Sequence, residues 1–382
     1  MVKLFSRFSL FVLFISLVGC QQNTKATSDK TLDARDIADV VTQQSFSANQ
    51  IVDVGEVIWG IDFISSDEMI FSTRSGKLFY YQLGQDAPTQ IQGAPSVHVR
   101  SQGGLLDVLY KVIEDTPYLY LTFSEGVDGG STVALGRGVI DSDNKRLENF
   151  ETLFVANAAA SPGRHYGSRL VFDKDGHLFM TVGDRGQRNQ AQDPSNHSGT
   201  VLRLNADGSY ASGNPFLEDD SKLNEIWTYG HRNPQGIDIH PTSGALWTIE
   251  FGPKGGDELN HIIPGKNYGW PKMTYGREYS GAYIAPGYVE GMEPALVHWT
   301  PAISPSGMTF YKGDVFSEWN GDLFIAALGD THVHRLVLDG EKIVGKERLF
   351  DSLDERVRQI RQGPDGLLYF TTDSGKIYQI AP

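Results

Sequence analysis

One phrase keeps returning along this chain. It is a Gly-bearing turn, a short strand of alternating apolar residues and a second polar turn. It reads "DKDGHLFMTVGD" at 173–184, "HPTSGALWTIEFG" at 240–252, "EWNGDLFIAALGD" at 318–330 and "GPDGLLYFTTDSG" at 363–375, with a fainter relative, "SSDEMIFSTRSGKLFYYQL", at 65–83. Helical periodicity is weak everywhere. Short strands with regularly spaced turn signals restrict the fold to a sandwich, a barrel or a propeller. A folded part of roughly 340 residues is too long for a sandwich, and four-stranded blades of about 40–55 residues each predict six of them. The expected fold is therefore all-β, a six-bladed β-propeller of four-stranded antiparallel blades. The repeats are unevenly spaced, so long loops must interrupt some blades. Residues 265–300, rich in Tyr, Gly, Trp and Pro, read as one such insert. Loops from every blade converge at one end of the central channel, and chemistry is expected there.

The bulk numbers agree with a turn-rich β protein: 42 Gly and 16 Tyr among 382 residues, 40% hydrophobic and 21% charged. No Pro/Ser linker or charge run divides the chain after about Phe46, which predicts one domain over 46–382. The net charge of −14 (33 basic against 47 acidic residues) argues against nucleic acid or an anionic membrane surface as the main partner. A local basic pocket remains compatible with it.

The N-terminus reads as an address. Lys3 and Arg7 precede an apolar run from Phe8 to Val18, too short to span a bilayer and fitting a signal h-region. It ends in Leu17-Val18-Gly19-Cys20, which resembles the bacterial lipobox. This predicts a signal peptide over 1–19, cleavage before Cys20, and a lipid anchor on that residue. The alternative is an ordinary cleaved signal that happens to carry a cysteine. Cys20 is the only cysteine, and a lone thiol in an exported protein otherwise has little purpose. Several acyl chains would give durable anchoring where one would not. Gln21 in place of Asp favours, by resemblance to such lipoproteins, the outer membrane facing the periplasm. Residues 20–45 read as a flexible tether.

Several polar clusters break the strand pattern. They are Gln102 in "SQGGLLDV", His165 in "GRHYGSRLVF", Asp184 in "VGDRG", Arg232 and Asn233 in "YGHRNPQG", "EFGPKGGDE" at 250–258, and Arg356 with Arg358 in "ERVRQIRQGPDG". There is no HExxH, phosphate loop or nucleotide-binding GxGxxG after a strand. "DSDNKRLENFE" (141–151) lacks the central Gly of a calcium loop and is rejected as one. Taken singly, each residue has an ordinary reading. A lone His is usually structural, an Asp after a strand shapes a turn, and a strand-edge Arg is solvated.

Taken together, the stretches "QGGLLDV", "HYGSRLVFDKDGHLFMTVGDRG", "EIWTYGHRNPQG", "FGPKGGDELN", "NYGWP" and "SPSGMTFY" resemble the soluble pyrroloquinoline quinone (PQQ)-dependent sugar dehydrogenases, the glucose/sorbosone dehydrogenase family. The aldose sugar dehydrogenase branch is the nearest match, over nearly all of 46–382. The family fold is a six-bladed propeller, in agreement with the independent blade count. The resemblance implies oxidation of an aldose at its anomeric carbon to a lactone, with electrons passed to an external acceptor. His165 matches the catalytic base, a task a neutral imidazole suits, and Asp184 the carboxylate that orients it. Arg232, Arg356 and Arg358 match contacts to the cofactor carboxylates, which Arg pairs bidentately. Asn233 and Gln102 match polar contacts to cofactor or substrate. The carbonyls of Gly252 and Pro253 match ligands of a Ca²⁺ beside the quinone, and Asp257 and Glu258 would serve the same or a neighbouring Ca²⁺. His231 has no such match. A monomer or homodimer is expected.

The sequence also departs from the pattern. The glucose dehydrogenase branch has a cofactor-contacting Lys where this chain offers Gly329 or Asp330. A family Thr falls at Ala302, and Arg164 precedes the catalytic His where that branch has an acid. Two other functions stay open: a cofactor-free propeller that binds carbohydrate or protein, and a calcium-dependent lactonase. The lactonase would need several carboxylates around an axial metal and no Arg cluster.

Overall fold

Each full copy of the recurring phrase is the hairpin into the second strand of a blade: Leu178–Val182, Leu246–Glu250, Leu323–Ala327 and Leu368–Thr372. All four strands are buried along their whole length, because neighbours flank them within the sheet and other blades cover both faces. The computed structural model describes Met1 and residues 31–382. The expected signal peptide 1–19, Cys20 and the start of the tether lie outside the described residues.

Six four-stranded antiparallel sheets follow one another as the blades of a propeller. Blade 1 begins at Ile58–Phe63, blade 2 at Leu105–Ile113, blade 3 at Leu170–Phe172, blade 4 at Pro234–Ile239, blade 5 at Pro305–Phe310 and blade 6 at Val357–Gln362. These first strands line the channel. Each touches the next, and the first strand of blade 6 touches that of blade 1, so the ring is closed. Blade 6 is completed by Ser47–Asp53 from the N-terminal side, paired with Lys376–Ala381. This joins the two ends of the chain in one sheet and leaves no open edge between first and last blade. The hydrophobic core is divided in the same way. Six buried clusters occupy the six interfaces between blades, for example Ile70, Leu121 and Phe123 between blades 1 and 2.

The insert lies inside blade 4, between Asp257–Ile262 and the short outer strand Val297–Trp299. The stretch 141–151 rejected as a calcium loop is a hairpin turn, with Asp141 accepting from the Asn144 N–H at 3.0 Å. The tether needs correcting for residues 31–45, which belong to the fold. Leu32–Asp33 adds a parallel fifth strand to blade 4, and Ala34 and Ile37 are buried against blades 4 and 5. Thr42 Oγ1 is bonded to Glu347 at 2.6 Å and receives the Trp319 indole N–H at 2.8 Å. A polar segment without periodicity gives no sign of a core, yet its few apolar residues and one hydroxyl are buried by elements some 300 residues away.

One irregularity positions the site. In five blades the first strand slips register near its start, displacing Trp59, Leu106–Asp107, Gln235, Ser306 and Arg358 from regular pairing. Bulges of this kind re-aim side chains beside active sites, and Trp59, Gln235 and Arg358 all face the same pocket. Just below it Arg169 of blade 3 crosses the channel. Its guanidinium reaches the Trp59 carbonyl (3.1 Å), Asp107 (3.0 Å), and the carbonyls of Gln235 (2.8 Å), Ser306 (3.2 Å) and Arg358 (2.9 Å). One side chain thus ties its blade to the other five.

Candidate active site

A pocket of about 850 Å³ opens at one end of the channel, walled by residues from all six blades. His165, Gln102, Arg232, Asn233, Arg356, Arg358, Gly252 and Pro253 all line it, so eight of the residues singled out in the sequence converge there. Asp184 sits directly behind His165.

The His165 loop is held in an unusual shape. His165 has φ 53° and Ser168 φ 80°, left-handed values that cost an L-residue energy and persist only when the surroundings impose them. Gln102 Oε1 accepts from the His165 N–H at 2.8 Å, and Asn233 Oδ1 accepts from the Gly167 N–H at 3.1 Å. On the other side the loop presses on Gly183, where a Cβ would lie 2.2 Å from the His165 carbonyl oxygen. Only glycine lets the "VGDRG" turn approach this closely. Beneath them Arg185 stacks on Tyr166 at 3.5 Å and donates to the Arg164 carbonyl.

The turn brings Asp184 Oδ1 to 2.6 Å from His165 Nδ1. The carboxylate has two further donors, the Gly186 N–H at 2.7 Å and the Trp270 indole N–H at 2.8 Å. Burial works to raise the Asp184 pKa, but the His165 and Gly186 hydrogen bonds and the Arg232 charge outweigh it, and the group lies below its ordinary value. Burial lowers the His165 pKa, opposed by Asp184 and assisted by Arg232 and Arg164. At neutral pH the pair is therefore an anionic carboxylate and a neutral imidazole. Nδ1 carries the proton toward Asp184, and Nε2 is left with a lone pair and no hydrogen-bond partner among the described residues. That is the state a general base requires.

Opposite stand the cations. Seven of the lining residues, Arg35, Arg74, Arg232, Lys254, Arg277, Arg356 and Arg358, are cationic against a single carboxylate, Asp373, in a protein whose net charge is −14. Arg358 is buried, pairs with Asp373 (2.8 and 3.0 Å) and lies over the Trp59 ring at 4.4 Å. Arg356 shares the same carboxylate at 3.1 Å. One carboxylate between two guanidiniums leaves positive charge uncompensated. The Arg232 backbone N–H donates to Glu250 at 2.6 Å and its side chain to the Phe251 carbonyl at 3.2 Å, while Nε has no partner among the described residues. His231 beside it is fully buried, locked between Glu250 and Thr228, and does not reach the pocket.

The loop 252–256 forms one wall. A Cβ on Gly252 would meet the Gly255 and Gly256 carbonyl oxygens at 2.3 and 2.2 Å, so the loop folds back on itself only with glycine there. No hydrogen bond within the described residues ends on the Gly252 or Pro253 carbonyl. Two uncommitted carbonyl oxygens suit a hard cation such as Ca²⁺ as part of its shell. Neither Asp257 nor Glu258 lines this pocket, so the geometry does not bring them to the same Ca²⁺ as the Gly252 and Pro253 carbonyls. Asp257 accepts the N–H groups of Gly252 (2.8 Å), Ile303 (2.7 Å) and Ser304 (2.7 Å), which makes it the anchor of this wall. Burial raises its pKa to about 6 even so. Glu258 points to the other face of the strand, paired across from Glu250, and burial beside that carboxylate pushes its pKa well up. Among the described residues no three His, Cys, Asp or Glu are placed to share a metal.

The comparisons with known proteins agree with this geometry. Residues 56–379 match the family model described as Glucose / Sorbosone dehydrogenase. The chain belongs to the glucose/sorbosone dehydrogenase family. It is 40% identical over 332 residues to aldose sugar dehydrogenase YliI of Escherichia coli, covering 85% of this chain and 90% of that one. To quinoprotein glucose dehydrogenase B of Acinetobacter calcoaceticus it is 33% identical over 256 residues, 59% of this chain and 52% of that one. The crystal structure of the soluble aldose sugar dehydrogenase from Escherichia coli in the apo-form superposes with a TM-score of 0.85 at 37% identity, covering 88% of this chain and all of that one. Membership of this family makes the protein an oxidoreductase acting on sugars.

Within that family frame, several residues of the site were not picked from sequence. Arg74 and Lys254 lie in quoted stretches, "SSDEMIFSTRSGKLFYYQL" and "EFGPKGGDE", and Arg277 in the insert, but a single basic residue beside a turn looks solvated. Trp270 lies in "NYGWP" and Arg169 in "HYGSRLVF", both distinctive stretches, but nothing local says what an indole N–H or a guanidinium will meet. The position expected to lack a Lys is filled at Gly329, where a Cβ would lie 2.8 Å from Ser304 Oγ; Asp330 is instead ion-paired with Arg348. Ala302 lines the pocket as expected for a contact position.

Proposed function

We propose that the protein oxidises aldose sugars at the anomeric carbon to lactones, using PQQ in the cation-lined pocket with Ca²⁺ at Gly252–Pro253, and passes the electrons to an external acceptor. The observation that carries this reading is the His165–Asp184 pair facing a pocket of seven cations. When bound, PQQ supplies the two-electron acceptor and Ca²⁺ the Lewis acid that polarises it. Arg232, Arg356 and Arg358 would hold the PQQ carboxylates, and the amide N–H groups of Asn233 and Gln102, which meet no acceptor among the described residues, would add neutral donors. His165 Nε2 would take the proton of the anomeric hydroxyl. Asp184, kept anionic by its three donors, would stabilise the imidazolium that results and keep the ring from turning. The name of the Acinetobacter relative, a quinoprotein, supports the cofactor. A lactonase reading has no comparable support, since among the described residues no three His, Cys, Asp or Glu are placed to share a metal.

The deciding experiment is reconstitution of the purified apo-protein with PQQ and Ca²⁺, with reduction of an artificial dye followed across a panel of aldoses. Sugar-dependent dye reduction that chelation abolishes and Ca²⁺ restores is expected. No reduction with any aldose would sink the proposal.

We also propose, from the sequence alone, that the protein is exported and anchored through acylated Cys20 in the outer membrane, facing the periplasm. Radiolabelled palmitate should enter the wild type and not Cys20→Ser. Equal labelling of both would overturn the anchor.

A further inference from the structure

Among the seven cations of the main pocket, Lys254 and Arg277 face each other. Lys254 stands in the 252–256 loop and Arg277 in the insert of blade 4, and both are exposed. Their backbones form an antiparallel bridge. The Lys254 N–H donates to the Arg277 carbonyl at 3.0 Å, and the Arg277 N–H to the Lys254 carbonyl at 3.1 Å. Residues paired in this way project their side chains from the same face, and like charges directly opposite each other are destabilising. Gly276 permits the close approach, since a Cβ there would lie 2.5 Å from the Gly255 carbonyl oxygen and 2.7 Å from the Pro253 ring. The carboxylate next in sequence, Glu278, is held by both nitrogens of Arg188, at 2.5 and 3.1 Å. The ion pairs of this pocket involve Arg35, Arg356 and Arg358, and neither Lys254 nor Arg277 takes part in one among the described residues.

The balance of charge says what this pair can meet. Asp33 neutralises Arg35 at 2.6 Å, and Asp373 offsets one of Arg356 and Arg358. The three carboxylates of PQQ would offset three more of the seven. Two positive charges are then left over, and a Ca²⁺ on the Pro253 carbonyl, one residue from Lys254, would add to them. The excess stands at one mouth of a protein whose net charge is −14. A cleft lined by one sign of charge concentrates ligands of the opposite sign and raises their on-rates. The volume of about 850 Å³ lies toward the top of the range for small-molecule sites, as a cofactor and a substrate together require. A neutral aldose brings no charge to this wall. An aldose with a carboxylate or phosphate at the end away from C1 does. Arg277 can grip either group through its planar fork, and Lys254 adds a point charge.

We infer that the pocket takes acidic aldoses, uronic acids or sugar phosphates, whose anionic group lies against Lys254 and Arg277 while C1 faces His165. The inference rests on the proposed sugar oxidation and narrows its substrate class. The test measures kcat/KM for glucuronate, glucose 6-phosphate and glucose in the PQQ- and Ca²⁺-loaded wild type, Lys254→Gln, Arg277→Gln and the double variant. One dye serves throughout, so that effects on the acceptor cancel in the ratio of acidic to neutral sugar. For the better acidic sugar that ratio should exceed one in the wild type at low ionic strength. It should fall about threefold in each single variant, the worth of one exposed charge pair, and about tenfold in the double, with glucose oxidation unchanged. Lys254→Arg, which keeps the charge, should keep the ratio. Ionic strength of about 1 M, where the Debye length is about 3 Å, should lower the wild-type ratio and leave that of the double variant alone. The acidic sugar with the larger fall identifies the group as carboxylate or phosphate. A ratio unchanged in the double variant overturns the inference, and weaker PQQ binding by absorbance in that variant would then assign the pair to the cofactor. Calorimetry with the methyl glycosides of the three sugars, which cannot be oxidised at the blocked anomeric carbon, tests the site without catalysis. Equal affinity for all three in the wild type would sink the anion site even if glucose is oxidised. Absence of all sugar oxidation, with an acidic glycoside bound more tightly and the difference lost in the double variant, would sink the proposed activity and leave the anion site standing.

Discussion

Two histidine–carboxylate pairs lie on loops joined by the Asp184 N–H, which donates to the Arg232 carbonyl at 2.7 Å, and they are built almost alike. His165 meets Asp184 at 2.6 Å and His231 meets Glu250 at 2.9 Å, in each case through Nδ1. Each carboxylate takes one backbone N–H, from Gly186 or Arg232, and one further side-chain donor, Trp270 or Asn260. What separates them is the second ring nitrogen. His231 Nε2 is capped by Thr228 Oγ1 at 2.9 Å, and its ring is stacked on Tyr268 at 4.5 Å. His165 Nε2 is left uncapped by any described residue, on a backbone with φ 53°. The same pair of groups is a strut when every valence is met and a reagent when one is left open toward a pocket.

The sharpest way to break this contrast is His165→Ala. The loaded enzyme should lose about 10²–10⁴-fold in kcat, the usual worth of a general base, while thermal unfolding and PQQ binding stay near wild type. A variant that turns over at the wild-type rate would show that His165 is not the base. Asp184→Asn should cost about 10²-fold, because an amide cannot accept from all three donors at once. The pH profile sharpens the point. His165 acts as the neutral form, so activity is lost as pH falls through its pKa, and burial places that acid limb below the ordinary 6.5. The Asp184 charge opposes burial by favouring the imidazolium. Its removal should move the limb to still lower pH, and a shift upward would contradict the assigned electrostatics.

His231→Phe tests the other pair. Expected is a loss of about 3 kcal/mol in unfolding free energy, since Glu250 loses a buried partner. The kcat of the folded, loaded protein should change far less than in His165→Ala, and equal losses in kcat would erase the distinction. Trp270→Phe removes one of three donors from Asp184 and should lower kcat about tenfold, equivalent to roughly 1.4 kcal/mol, with KM little changed. Thr228→Val is the smallest step. Uncapping the buried His231 Nε2 should cost about 1 kcal/mol of stability by thermal melt and leave catalysis alone.

The comparison also shows what kind of information the sequence held. Both histidines stand in distinctive stretches, "GRHYGSRLVF" and "YGHRNPQG", and no local feature tells them apart; the resemblance to the family did. Arg232, Arg356 and Arg358 were legible as a set, since three arginines in two polar stretches far apart in the chain are harder to explain as solvated charges than any one alone. Asp257 was misplaced for a physical reason. A carboxylate in a Gly-rich acidic turn looks free to bind a metal until the backbone N–H groups of Ile303 and Ser304, over 40 residues away, are brought onto it. Residues 31–45 were misread for the same reason, because the surfaces that bury them come from the far end of the chain.

By itself the sequence determined the repeat, the six blades and the converging polar loops, because turn chemistry and strand alternation act over a few residues and recur. The tertiary structure alone decided which polar groups are satisfied. Arg169 binding to all the other blades and Trp270 holding Asp184 depend on partners that only ring closure brings together. Hydrogen bonds reach about 3 Å. Their bookkeeping therefore follows distance in space, and a site defined by what is left unpaired exists only once the propeller has closed.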